Sequence, residues 1–244
     1  MSVPVFLAPR DLLLRGDRAV LGGAEGRHAA AVRRLRAGER VDLTDGAGLV
    51  AECEVREALK DSLAVEVLRR REEPAPSPRV VVVQGLPKGD RGELAVEMMT
   101  EAGVDEIVPW AASRCVTQWR GDRADKALNR WRNTAREAGK QARRFHLPEV
   151  PPQETTARVA ERVRGAAAAF VLHEEAKTPL SSADLPREGD IVLVVGPEGG
   201  VADAELEAFA AAGAVPALLG PTVLRTSTAG VAAAAVILAR TGRW

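Results

Sequence analysis

The chain has few of the residues from which disulfide-stabilised or metal-binding proteins are built. Its 244 residues include two cysteines, three histidines and no tyrosine. Cys53 and Cys115 lie far apart, and neither has a further Cys or His at ligand spacing, so the sequence predicts neither a disulfide framework nor a metal site. We expect both cysteines to be packing residues in a reducing, cytoplasmic environment.

Long apolar segments are also absent. Residues 1–11 lack a basic region followed by an apolar core of signal length, and the longest apolar helix candidate, Ala229–Ala239, is too short to cross a bilayer. We therefore expect no secretory signal and no membrane anchor. The 46% of apolar and 28% of charged residues are ordinary for a globular protein of one large or two modest domains.

The charges cancel overall, with 34 basic and 34 acidic side chains, but they are unevenly distributed. Residues 1–40 contain eight arginines against four acidic residues, and residues 120–146 contain nine basic against three acidic residues. Two basic zones on a neutral chain favour a polyanionic partner such as nucleic acid. The alternative is a set of ordinary solvated helix faces.

A proline-rich stretch predicts a domain boundary. Three prolines occur between Pro74 and Pro78, which is incompatible with a helix or a central strand. We expect an N-terminal domain of residues 1–72, a linker of residues 73–78 and a C-terminal domain of residues 79–244.

Residue patterns predict a different architecture for each domain. In the first, strand patterns at 40–44, 49–55 and 62–68 surround an Asp-Gly turn, with one short helix near residues 28–35, and indicate a small β-rich barrel or sheet. In the second, helix-like segments alternate with five apolar strand patterns, which predicts an α/β domain with a mostly parallel sheet. These strands are expected at residues 80–84, 106–109, 167–172, 191–195 and 215–219.

Two strand-to-loop junctions carry the clearest functional signal. Ile191–Gly200 (IVLVVGPEGG) and Leu218–Gly230 (LLGPTVLRTSTAG) each begin as an apolar run and then break into Gly and Pro. Loops at the carboxyl ends of parallel strands commonly bind ligands, because glycines there let backbone amides approach closely. Since the first loop lacks both the P-loop lysine and dinucleotide-loop spacing, another small ligand is expected.

The segment Ala124–Arg144 predicts an amphipathic helix. Apolar residues recur at three- and four-residue steps, and another face carries Arg132, Arg136, Lys140 and Arg144. Cations at one-turn spacing suit successive phosphates, so this face is a candidate RNA contact. A purely solubilising face is the alternative, although few acidic residues are available to pair with it.

Several blocks, in order along the chain, resemble those of one enzyme family. They are residues 28–38 (HAAAVRRLRAG), 88–91 (KGDR), 101–104 (EAGV), 137–148 (EAGKQARRFHLP), 172–174 (LHE), 196–200 (GPEGG) and 219–226 (LGPTVLRT). Together they resemble the 16S ribosomal RNA uridine N3-methyltransferases of the SPOUT superfamily over essentially the whole chain. At Ser227 the chain departs from the family, where glutamate is usual.

This resemblance implies a fold, a cofactor and partners. The fold is an α/β SPOUT domain with a deep trefoil knot, preceded by a small β-rich, PUA-like RNA-binding domain. The cofactor is S-adenosylmethionine, held by three loops. The implied partners are 16S ribosomal RNA within the small ribosomal subunit and a second copy of the chain. The helix of residues 227–240 suits either subunit packing or a core position.

The resemblance and the basic segments together nominate the binding residues. The candidate cofactor contacts are Leu172, His173, Glu174, Gly196, Pro197, Gly199, Gly200, Leu219, Gly220, Leu224 and Thr226. The candidate RNA contacts are His28, Arg34, Arg36, Lys88, Arg132, Arg136, Lys140, Gln141 and Arg144. For His28, a structural hydrogen-bonding role is the alternative.

Two residues of the glycine-rich loops are the candidate catalytic groups. Glu198 is the carboxylate best suited by its place in the sequence to remove the N3 proton of uracil or to orient the base. Arg225 is suited to stabilise the negative charge that develops on the uracil oxygens. For Glu198 the alternative is a carboxylate that binds the amides of its own loop, and for Arg225 it is a structural salt bridge.

Three functions are consistent with the sequence. The first is methylation of one uridine, implied by the resemblance to be uridine 1498 of 16S ribosomal RNA. The second is ribose 2′-O-methylation by another enzyme of the superfamily, although residues 224–230 lack the asparagine-bearing block typical of those enzymes. The third is a non-enzymatic RNA-binding or ribosome-assembly protein.

Overall fold

The computed structural model describes residues 3–244, which form two compact units. The N-terminal unit contains the chain up to Ala75 together with Gly139–Leu147, and the C-terminal unit contains Pro76–Ala138 and Pro148–Trp244. The sequence-based division at residues 73–78 did not anticipate that Gly139–Leu147 belongs to the first unit. The helical periodicity there continues without interruption, so the sequence gives no sign of the change.

The N-terminal unit is built on a five-stranded sheet with the order β1-β3-β4-β5-β2. Strand β1 runs parallel to β3, and the other neighbours are antiparallel. The strands are β1 (Val5–Leu7), β2 (Arg18–Leu21), β3 (Arg40–Thr44), β4 (Leu49–Ala58) and β5 (Leu63–Glu72). Two short helices, α1 (Arg10–Leu14) and α2 (Gly23–Arg27), complete the unit, and a π-helical turn (His28–Val32) continues α2.

Alternating side chains explain this sheet. In β4, Ala51, Cys53 and Val55 are fully buried, because every second residue of a strand faces the same side. Burial raises the pKa of the Cys53 thiol to about 12, which agrees with a packing role. The predicted helix near residues 28–35 was wrong in its bounds. The helical segment begins at Gly23 and ends before Arg34, whose left-handed backbone (φ 55°) interrupts it.

The C-terminal unit contains a five-stranded, entirely parallel sheet with the order β10-β8-β9-β6-β7, which confirms the predicted α/β class. Its strands are β6 (Arg79–Gly85), β7 (Glu106–Trp110), β8 (Ala168–Leu172), β9 (Asp190–Val195) and β10 (Val215–Ala217). Its helices are α3 (Arg91–Ala102), α4 (Asp122–Gln141), α5 (Thr156–Gly165), α6 (Asp203–Ala211) and α7 (Thr226–Arg240), and the last residues of α4 belong to the N-terminal unit.

Continuous apolar runs form the centre of this sheet. Val80–Val83 of β6 and Ile191–Val195 of β9 are buried on both faces, as expected for interior parallel strands. Because all five strands are parallel, their carboxyl ends lie along one edge, and this edge positions the loops that follow them. The trefoil knot implied by the resemblance remains a prediction.

The structure was also compared with the requirements of membrane spans and metal sites, over residues 3–244. Over residues 3–244, no helix has both the length and the apolar character needed to span a membrane. Within the same range, no group of three or more His, Cys, Asp or Glu side chains is arranged to hold a metal ion.

Candidate functional site

A cleft of about 450 Å³ opens at the carboxyl edge of the parallel sheet. Three segments form most of it: residues 172–174 after β8, residues 195–201 after β9, and residues 218–226 between β10 and α7. Arg91 and Ala229 complete the lining. This is the edge at which open α/β sheets bind ligands, and the volume is typical of a small-molecule site.

The cleft brings together most of the residues nominated from the sequence. Glu198 and Arg225 line it, as do all the candidate cofactor contacts except Gly199. Sequence reasoning missed eight further lining residues: Arg91, Val195, Val201, Leu218, Pro221, Thr222, Val223 and Ala229. Most of these belong to the recognised loops. Arg91 belongs to the KGDR block, which was the available signal for it.

Close packing requires glycine at several points of the loop Gly196–Gly200. A Cβ atom added at Gly196 would lie 2.9 Å from Val201 Cγ2, and Gly200 has a left-handed backbone (φ 73°). Gly199 does not line the cleft, and its predicted contact with the cofactor stays a prediction. A Cβ atom at Gly199 would lie 3.1 Å from Arg114 Cβ, so the lack of a side chain at Gly199 leaves room for Arg114.

A buried chain of hydrogen bonds fixes the floor of the cleft. Gln84 Nε2, at the end of β6, donates to Thr226 Oγ1 over 2.9 Å, and this hydroxyl donates to the Gly196 carbonyl over 2.7 Å. The chain therefore connects β6, the start of α7 and the glycine loop through side chains that are at least nine-tenths buried. The Thr226 hydroxyl is therefore fixed in the cleft by two hydrogen bonds.

Glu198 binds a different loop from its own. Its Oε1 atom accepts a hydrogen bond from the Lys88 amide over 3.0 Å, and its side chain lies at the exposed mouth of the cleft. The sequence-based alternative, a carboxylate that binds the amides of its own turn, is not what the structure contains. The contact attaches the β6–α3 loop to the cleft and leaves Oε2 without a hydrogen-bond partner among residues 3–244.

Arg225 occupies the N-cap position of α7. Its carbonyl accepts hydrogen bonds from the Thr228 and Ala229 amides, each over 2.9 Å, while its side chain is exposed along the cleft. Within the part of the chain that the structure describes, its guanidinium makes no hydrogen bond or ion pair. The structure therefore contains no salt bridge of Arg225 among the described residues, which was the alternative role.

The candidate RNA contacts of the N-terminal unit fall into exposed and buried groups. Arg34, Arg36 and Gln141 are exposed, and Arg144 is partly exposed. His28 is partly buried, and its ring packs edge-on against Phe6 with 5.7 Å between centroids, which supports a structural contribution.

Lys140 corrects the prediction of a continuous cationic face. Its side chain is 7% exposed, and its Nζ atom lies 2.8 Å from Glu25 Oε1. The second oxygen of Glu25 accepts the Leu7 amide over 3.1 Å. An ammonium group that is buried and paired in this way is not accessible to a phosphate of RNA. Helical spacing placed Lys140 beside the other basic residues but gave no indication that its ammonium group pairs with Glu25.

In the C-terminal unit, the remaining candidate RNA contacts are exposed. Lys88, Arg132 and Arg136 have exposed side chains. Arg132 donates through Nε to the Val150 carbonyl over 2.9 Å, and Arg136 lies 3.4 Å from a carboxylate oxygen of Glu137. Both arginines retain further donors, since a guanidinium has five N–H groups.

Two families of known protein domains match this chain. Residues 73–238 match the family described as RNA methyltransferase domain, and residues 21–68 match the family described as RNA methyltransferase PUA domain. The second match confirms the predicted PUA-like fold of the N-terminal unit.

Individual relatives cover nearly the whole chain. Ribosomal RNA small subunit methyltransferase E of Mycobacterium bovis is 48% identical over 233 residues, covering 94% of this chain and 89% of the relative. The Bacillus subtilis protein of that name is 31% identical over 215 residues, covering 85% and 84%. A crystal structure of the Neisseria gonorrhoeae protein of that name, bound to S-adenosylmethionine, has a TM-score of 0.86 at 27% identity and covers 98% of both chains. The chain therefore belongs to the ribosomal RNA small subunit methyltransferase E family.

Proposed function

We propose that this chain transfers a methyl group from S-adenosylmethionine to N3 of one uridine in small-subunit ribosomal RNA, implied by the resemblance to be uridine 1498. The observation that carries the proposal is the cleft, which gathers at the sheet edge three loops, a carboxylate and the Arg225 guanidinium, which has no ion-pair partner among residues 3–244. The S-adenosylmethionine in the related Neisseria gonorrhoeae structure supports the choice of cofactor.

The residues of the cleft suit this cofactor. S-adenosylmethionine combines an aromatic base, whose faces pack against apolar side chains, with polar and charged groups. The lining combines Val195, Val201 and Leu219 with the backbone of the glycine-rich loops. Gly220 lines the cleft, and a Cβ atom added there would meet no atom within 4 Å, so the adjoining space is open. When bound, the cofactor supplies an electrophilic methyl group. The loops of this chain hold it and exclude water from it.

Glu198 is proposed to accept the N3 proton of the uracil. N3 is a poor nucleophile while it is protonated, so transfer requires a base within hydrogen-bond reach. Glu198 Oε1 is engaged by the Lys88 amide, which fixes the orientation of the carboxylate. The Oε2 atom is then available to receive the proton, and the anchored geometry limits the reorganisation that this step requires.

Arg225 is proposed to stabilise the charge that remains on the uracil. Loss of the N3 proton spreads negative charge over O2 and O4, and a guanidinium offers fixed, permanently charged donors to such oxygens. The absence of an ion-pair partner within residues 3–244 supports this use of the side chain. Because N3 lies on the Watson–Crick edge, the target uridine must be unpaired or flipped out before it enters the cleft.

The proposal extends to the RNA partner, the location and the assembly of the protein. The exposed arginines of both units suit the phosphates of 16S ribosomal RNA, and the protein is proposed to act in the cytoplasm on the small subunit. Helix α7 keeps Val231 and Val236 partly exposed on an alanine-rich surface, which supports a homodimer contact. The trefoil knot is proposed from the family to which the chain belongs.

Two experiments test the proposed function. Titration of the purified chain with S-adenosylmethionine in a calorimeter should show binding. If no binding is measured, the chain is a non-enzymatic RNA-binding protein and the proposed activity is wrong. Small-subunit RNA from cells that lack the protein should lose one N3-methyluridine on nucleoside mass spectrometry. Loss of a ribose-methylated nucleotide instead, with N3-methyluridine retained, would assign the chain to 2′-O-methylation.

A further inference from the structure

Arg91 lines the cleft but takes no part in the chemistry proposed above. It is the first residue of α3, and its side chain is partly exposed. Of the residues that the structure describes, none makes a hydrogen bond or an ion pair with its guanidinium. Because this guanidinium lies beside a ligand cleft and has no partner among those residues, it is available to bind an external anion.

The loop that leads to Arg91 is held in place by three contacts. The Lys88 amide donates to Glu198, and the Thr117 hydroxyl donates to the Pro87 carbonyl over 2.8 Å. The Leu86 amide donates to the Trp110 carbonyl over 3.1 Å. Arg91 therefore projects from a fixed backbone, which lowers the entropy that an anion contact would cost.

The first turn of α3 is also packed tightly. A Cβ atom added at Gly92 would lie 2.8 Å from Trp131 Nε1, so only glycine allows this indole to approach. Trp131 in turn packs edge-on against Trp119, with 5.1 Å between centroids. Glu93 accepts a hydrogen bond from Arg130 Nε over 2.9 Å. The turn that carries Arg91 is thus anchored to α4 immediately after it.

Arg114, which also lies near the glycine loop, has a structural role and can be compared with Arg91. Arg114 Nη1 donates to the carbonyls of Gly199 and Val201, each over 3.3 Å, and so supports that loop. Arg91 supports no such backbone group. Exposed Lys88 lies three residues earlier, which places a second cation in the loop that leads into α3.

We propose that Arg91 binds a phosphate of the RNA strand next to the target nucleotide, and so positions the uridine in the cleft. The proposal rests on the proposed function and adds a substrate contact to it. Two cations on one anchored loop suit the repeated charges of a nucleic-acid backbone better than the single carboxylate of the cofactor.

The test compares Arg91→Ala with Arg187→Ala in the full-length protein. Arg187 is an exposed arginine before β9, at the opposite edge of the sheet from the cleft, and has no partner among residues 3–244. The probe is an unmodified small-subunit ribosomal RNA fragment that contains the target uridine. The measurements are RNA affinity as a function of salt, S-adenosylmethionine affinity by calorimetry, and the methylation parameters kcat and KM for RNA.

We expect Arg91→Ala to weaken RNA affinity by about tenfold, as the loss of one charge-assisted contact requires. The slope of log affinity against log salt should become shallower by about 0.7, while S-adenosylmethionine affinity stays unchanged. The RNA KM should rise more than kcat falls, and Arg91→Lys should restore part of the loss. Arg187→Ala should match the wild type in every measurement.

Two results would overturn the proposal. Unchanged RNA affinity and salt slope in an otherwise active Arg91→Ala would remove the phosphate contact, and a loss confined to S-adenosylmethionine affinity would reassign Arg91 to the cofactor carboxylate. Failure of the proposed function would look different, because the wild-type chain itself would then bind no S-adenosylmethionine or transfer no methyl group.

Discussion

Two groups of charged residues next to the glycine loop Gly196–Gly200 differ in how they are paired. The support group, Arg114 and Glu205, does not line the cleft, and its members bind backbone and hydroxyl groups. The cleft group, Arg91, Glu198 and Arg225, lines the cleft. Among residues 3–244, the side chains of this group make a single hydrogen bond, from the Lys88 amide to Glu198.

The two glutamates make the contrast most clearly. Glu205 is 5% exposed, and its carboxylate accepts three hydrogen bonds, from the Ser113 amide, the Thr156 hydroxyl and the Ala202 amide. Glu198, seven residues earlier, is exposed and accepts one. A saturated carboxylate stabilises the fold, whereas a carboxylate with spare capacity at a cleft can act on a ligand. Substitutions in the support group should therefore lower the stability of the fold, whereas substitutions in the cleft group should lower activity and leave stability unchanged.

The largest effect on stability is expected for Glu205→Ala. Removal of this buried carboxylate takes the partner from two amides and a hydroxyl in a partly buried place, which should lower the free energy of unfolding by about 3–5 kcal/mol. Urea denaturation measures this difference. Glu207→Ala, on the exposed side of the same helix, is the control and should change stability by less than about 0.5 kcal/mol. Equal stability of the two variants would remove the distinction between the groups.

Arg225→Ala should have the next largest effect, and on activity alone. Loss of a donor that stabilises developing charge should reduce kcat by about 10²–10³-fold, or about 2.7–4 kcal/mol. Because the guanidinium has no internal partner within residues 3–244, the urea midpoint should not change. A large fall in the midpoint, with activity retained in the folded fraction, would move Arg225 into the support group.

How far the sequence predicts this arrangement depends on the range of the interactions. Strand β3 was predicted at its observed bounds, Arg40–Thr44, because alternation within a strand is a local signal. The glycine loops were located because Gly and Pro interrupt apolar runs. The Lys140–Glu25 ion pair joins residues 115 positions apart, and no local pattern indicates it.

The same limit applies at the cleft. Gly199 and Gly200 are adjacent and identical in sequence, yet of the two Gly200 lines the cleft, whereas Gly199 lies close to Arg114. The loop before Arg91 is likewise attached to the cleft by the Glu198 contact with the Lys88 amide, which connects segments 110 residues apart. Local residue types identified the loops, whereas tertiary packing decides which side chains face the ligand.

A smaller effect, confined to the ligand, is expected for Gly220→Val. The added side chain meets no protein atom within 4 Å at its Cβ and should occupy open cleft volume, so the fold should keep its stability. S-adenosylmethionine affinity should fall by about tenfold or more, or about 1.4 kcal/mol. Calorimetry measures the change. Gly165→Val, at the end of α5 and equally open, is the control, and unchanged affinity in Gly220→Val would show that the cofactor binds elsewhere.

The most direct test of the contrast is single-turnover methylation by Glu198→Gln. The variant keeps an oxygen that can accept the Lys88 amide, so the loop geometry and the S-adenosylmethionine affinity should stay within about twofold of the wild type. A neutral amide is not able to take up the N3 proton, and the rate of methyl transfer should fall by about 10²-fold or more. Transfer at the wild-type rate with the cofactor fully bound would contradict the assignment of Glu198 to the chemistry.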